Sequence, residues 1–77
     1  MILVQTENST YEIDCEAHTV VRKPRLGALR RDGEALPVLA IEEVAVGKPL
    51  VMLLSIRADG VPTVRTTSPV VMVRRWS

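Results

Sequence analysis

Cys15 and His18 are the chain's only cysteine and only histidine, and they stand three residues apart. A Cys-x-x-His spacing supplies two metal ligands, and Asp14 and Glu16 beside them could add carboxylates. Zinc, however, takes four protein ligands, or three and a water. Nucleophilic chemistry at Cys15 would need His18 as its base and a third group to orient that base. The plainer reading is a turn histidine and a cysteine on the core-facing side of a strand, buried and inert. Glu42 and Glu43 adjoin in sequence, but neighbours in a strand point to opposite faces and do not form an acid pair. "VGKPL" places Lys48 after a single glycine, which is a turn and no phosphate-cradling loop. The sequence therefore assigns no catalytic, cofactor-binding or metal-ligating residue, and the expectation is a protein that is not an enzyme.

The basic residues offer more. "VVRKPRLGALRRDGE" carries Arg22, Lys23, Arg25, Arg30 and Arg31 within ten positions, in what reads as a basic loop at about residues 23–35. Such a segment can neutralise successive phosphates of a nucleic acid. Arg74, Arg75 and Trp76 add a second basic site, with a ring on which a base could stack. Against that reading stand a net charge of +1 and two acidic blocks, Glu7 to Glu16 and Asp32 to Glu43. Tyr11 and Trp76 are the only aromatics, and Tyr11 falls on a core-facing position. Nucleic-acid binding is thus the second choice. The same loop holds Leu26 and Leu29 among its arginines, and apolar anchors mixed with arginine suit a protein interface. Charge blocks can equally pair across neighbouring strands.

The elements that would position these residues read as strands. "MILVQT" is followed by the turn residues "ENS", and then "TYEIDC" alternates with Tyr11, Ile13 and Cys15 on one side. "EAH" turns the chain into "TVVRK", which Pro24 should end because it cannot donate to a ladder. "LPVLAI" is the next strand and "EEVAVGKPL" a link. "LVMLLSI" is unbroken enough to suggest a strand covered on both faces. "ADG" signals a hairpin into "VPTVRTTS", and Pro69 marks a break, bulge or edge before "VVMVRRW". The expectation is an all-β domain spanning residues 1–77, a small barrel or two-sheet sandwich of six or seven short antiparallel strands.

Size and composition bear on partners. A chain of 77 residues buries only about 60% of its unfolded surface and commonly needs a staple. One cysteine rules out an intrachain disulfide, which leaves oligomerisation. Hydrophobic residues make up 47% of the chain, more than one small core need hold, so a homo-oligomer is expected, with a dimer favoured. Residues 50–56 and 70–73 would face the core on one side and the partner on the other. A further, unidentified protein partner would meet the basic loop. No run approaches the ~20 apolar residues of a membrane span, and the single thiol fits a reducing, cytoplasmic setting.

Four segments taken together, "VQTENSTYEID", "AHTVVR", "VAVGKPL" and "TTSPVVMV", resemble a group of small, functionally uncharacterised proteins of actinobacteria and their phages. That group opens on a T-x-N-S-T-Y-E-I-D pattern. The resemblance implies an accessory role of phage or actinobacterial type, in the host cytoplasm if phage-encoded, with a small virion component as a third reading. It transfers no site residues. At "GKPLVMLLSI" this chain departs from the pattern by being more apolar, which adds weight to a partner surface there.

Overall fold

The computed structural model describes residues 1–24 and 33–75. These residues are all-β, with six antiparallel strands: β1 (Ile2–Thr6), β2 (Ser9–Asp14), β3 (Thr19–Pro24), β4 (Ala35–Ile41), β5 (Pro49–Leu54) and β6 (Thr63–Arg75). Each strand pairs with the next in sequence, and β6 pairs back onto β1, so the sheet closes into a barrel. Closure gives every strand among the described residues a partner on both sides, which resolves barrel against sandwich in favour of the barrel. No helix long and apolar enough to cross a membrane occurs among the described residues.

Alternation explains which side chains face inward. In β1 and β2, Val4 stands opposite Tyr11 and Ile2 opposite Ile13. The same parity continues through Val20 of β3 and Leu36 of β4. In β5 the inward positions are Leu50, Met52 and Leu54. These residues with Val38 and Val70 form the core.

Three sequence expectations need correction. Cys15 does not continue the inward face of β2; it is exposed. The cause is Asp14, whose Oδ1 accepts hydrogen bonds from the Glu16 and Ala17 amides, each at 3.0 Å. This Asx turn takes the chain out of the pleat one residue early, and His18 completes the reversal with φ of 53°. Glu42 and Glu43 lie in the link after β4, outside any strand, and both are exposed. The two segments around Pro69 are not two strands but the single 13-residue β6.

Pro69 sits where β6 changes partner. Its first half pairs with β5 and its second half with β1, and the β5 register shifts between Pro49 and Val51. A residue that cannot donate is tolerated at such a bulge. Thr67 repairs the ladder there: its Oγ1 accepts from the Leu50 amide at 3.0 Å and donates to the Ser68 carbonyl at 2.7 Å.

The Asx turn makes stability pH-dependent. The Ala17 amide holds the Asp14 carboxyl below its ordinary value of 3.8, and the Glu16 amide adds to this against a counteracting loss of hydration. A lowered folded-state pKa stabilises the fold above the unfolded value, and that contribution disappears as pH falls through the folded value. Urea unfolding of Asp14→Asn should therefore lose less stability than wild type between pH 5 and the acid limit of folding. Identical pH dependence in the two proteins would contradict the assignment.

Candidate functional site

The basic residues singled out from sequence do not gather on one face. Arg22 lies in β3 as the strand reading of "TVVRK" has it, but it is opposite Tyr11 on the inner side and only 8% exposed, so it is not on one surface with the rest of the basic stretch. Alternation from Val20 forces it inward. Lys23, the next residue, points outward and forms an ion pair with Glu12 of β2 at 3.1 Å. Arg74 and Arg75 are exposed at the end of β6, opposite Leu3 and Ile2 of β1. The outward row runs Arg74, Leu3, Glu12 and Val21, and Glu12 in it meets Lys23 of the next row, so an acid stands between Arg74 and Lys23. Arg25, Leu26, Leu29, Arg30, Arg31 and Trp76 lie outside the described residues.

Two other surfaces emerge. The first is the outer side of β4, β5 and β6. Ala40, Leu53 and Val64 are cross-strand neighbours in one outward row. Val51 and Thr66 form the next row along the same strands. A shift in register after Val38 turns Leu39 outward as well. Leu39 is 58% and Val64 63% exposed, on the two strands that flank β5. A shallow hollow of about 220 Å³ runs between Ala40, Ile41, Val51, Leu53 and Val64. A second, of about 270 Å³, lies beside it and shares Ala40 and Ile41, with Leu39 and Ile13 in its wall and Cys15 and His18 at its rim. The opposite side of the barrel, across β1 to β3, presents Gln5, Thr10, Glu12 and Lys23 alongside half-buried Leu3 and Val21.

The second surface is a polar cleft of about 200 Å³ at the end of the barrel nearest the β1–β2 turn. Arg22, Arg65, Ser9, Ser68 and Tyr11 line it, with Asn8, Thr66 and Thr67. Arg65 is opposite Met52 of β5, which places it on the inner side of β6. Thr63 and Thr67 share that side, so the inner face of β6 is polar where that of β5 is apolar. Ser9 is 1% exposed, and neither its Oγ nor that of Ser68 has a hydrogen-bond partner among the described residues.

No protein-family model matches this chain, and neither does any curated protein or solved structure.

The cleft was missed from sequence because its cations look like surface residues. Arg65 sits in "TVRTTS", where threonines flank it and no hydrophobic alternation marks an inside. The signal that could have found it is parity. Arg22 lies two residues after core Val20, and Arg65 faces the strand that supplies Met52. For Cys15 and His18 the metal reading has no support in position: among the described residues, no three His, Cys, Asp or Glu side chains group as a metal site.

Proposed function

We propose that this protein acts by protein–protein contact and works as a homodimer through the outer face of β4, β5 and β6, with no chemistry of its own. The observation that carries this reading is the contiguous outward row from Leu39 and Ala40 through Leu53 to Val64, on three successive strands. Monomeric proteins seldom leave a connected apolar patch of this kind uncovered. A second copy is the simplest occupant, because a two-fold interface lets the same patch cover itself.

Size favours the same occupant. A standard interface covers about 800 Å² on each partner. The total accessible surface of the chain is 4961 Å², so such an interface would take about a sixth of it. Burying it would also supplement a core that is small for an independent fold. The accessory role implied by the phage and actinobacterial resemblance is compatible with such a module.

Sedimentation equilibrium between 1 and 100 μM is the direct check. The expected result is a species of twice the monomer mass over most of that range. A strict monomer throughout would overturn the dimer.

A further inference from the structure

We propose that the polar cleft between β2, β3 and the first half of β6 binds a phosphate-type oxyanion. It is a separate site from the apolar outer face, and it does not depend on the dimer. Its described lining contains two guanidinium groups and no carboxylate. Arginine is rarely withdrawn from water without an anion to meet it. Arg65 is half-buried and has no ion pair among the described residues. Arg22 is more deeply buried and makes other contacts within the protein. A guanidinium has five N–H donors, so Arg22 can share them with a bound ion.

The hydroxyls sharpen the ligand class. Ser9 Oγ and Ser68 Oγ are buried against the cleft with no partner among the described residues. Buried polar atoms in native proteins are normally satisfied, so an orphan pair in one cavity points to a missing occupant. Thr67 Oγ1 donates its one proton to the Ser68 carbonyl and accepts from the Leu50 amide, and it is bonded to neither serine hydroxyl. Water could satisfy two hydroxyls but would leave the charge of Arg65 without a counter-ion among the described residues. A tetrahedral oxyanion meets both needs. Its several oxygens accept from a planar guanidinium fork on one side and from hydroxyl groups on another. The cleft opens to solvent and is large enough for such an ion, or for the phosphoryl end of a monoester.

The test is an amide-resolved NMR titration of the full chain with inorganic phosphate, sodium chloride holding the ionic strength constant. The expected result is saturable shifts confined to residues 8–11, 22 and 65–68. Arg65→Gln should weaken binding by about tenfold or more, Arg65→Lys by less, because lysine keeps the charge and loses the fork. Ser68→Ala provides a variant that leaves both charges in place, and it too should weaken binding. A parallel titration with O-phosphoserine separates the sources: tighter binding than phosphate indicates a monoester, equal binding the free ion. Shifts that never saturate, an unchanged affinity in both Arg65→Gln and Ser68→Ala, or acetate binding as well as phosphate would each overturn the proposal.

Discussion

Leu54→Ala is expected to lower the unfolding free energy by about 2–5 kcal/mol. Leu54 is fully buried and stands at a crossing point: Val38 of β4 is its neighbour on one side, Thr63 of β6 on the other. Truncation removes both the transfer energy of the side chain and its packing against the surrounding core. In a closed barrel the strands on either side are tied by ladders and cannot slide inward to refill the space. Domains have roughly 0.05–0.15 kcal/mol of stability per residue, so a chain of 77 residues has little to lose. Urea unfolding should show a lower midpoint with an unchanged m-value, which separates lost stability from a changed denatured state. Leu53→Ala, one residue earlier and outward, should cost the monomer much less. A Leu54→Ala loss below about 1 kcal/mol would mean that the barrel relaxes around the cavity.

Much of the barrel can be read from local pattern, because a half-buried strand writes its own alternation. "TYEID" carries the period of two, and the structure places Tyr11 and Ile13 inside as that period demands. "LVMLL" is apolar at every position, and only burial separates inward Leu50, Met52 and Leu54 from half-covered Val51 and Leu53. What failed was non-local. Pro69 reads as a break, bulge or edge, and the sequence leaves open which, so the two segments around it count as separate strands. It is tolerated because β6 exchanges β5 for β1 at that point, and no feature of the local sequence announces a change of partner. Cys15 failed for a smaller reason: the Asp14 side chain captured two amides and turned the chain before the pattern ran out.

The basic stretch shows how composition can conceal geometry. Arg22 and Lys23 are adjacent and chemically alike, yet one faces the barrel interior and the other its surface. Lys23 behaves as charge blocks on a sheet often do, paired diagonally with Glu12 from the acidic block that precedes it. Arg22 instead joins Arg65, a residue 43 positions later that no motif connects to it. A sequence reading sorts residues by type and nearness, and the cleft is made by parity and closure.

The outer face yields the second large effect. Leu53→Asp should weaken self-association by about 30-fold or more, since truncating or charging a central anchor commonly costs at least about 2 kcal/mol. Leu53 lies mid-row between Ala40 and Val64, so a two-fold partner cannot cover the row without burying the new carboxylate. An unpaired buried charge is among the costliest groups an interface can contain. The monomer has no comparable objection, because the Leu53 side chain is outward and only half-covered. Leu3→Asp is the matched control: it is also outward and half-buried, but it sits between Arg74 and Glu12 on the other side of the barrel. Sedimentation should give monomer for Leu53→Asp and dimer for Leu3→Asp, with both variants folded by circular dichroism. Dissociation by Leu3→Asp alone would move the contact to β1 and β2, where Glu12, Lys23 and Arg74 would then have to be read as interface residues.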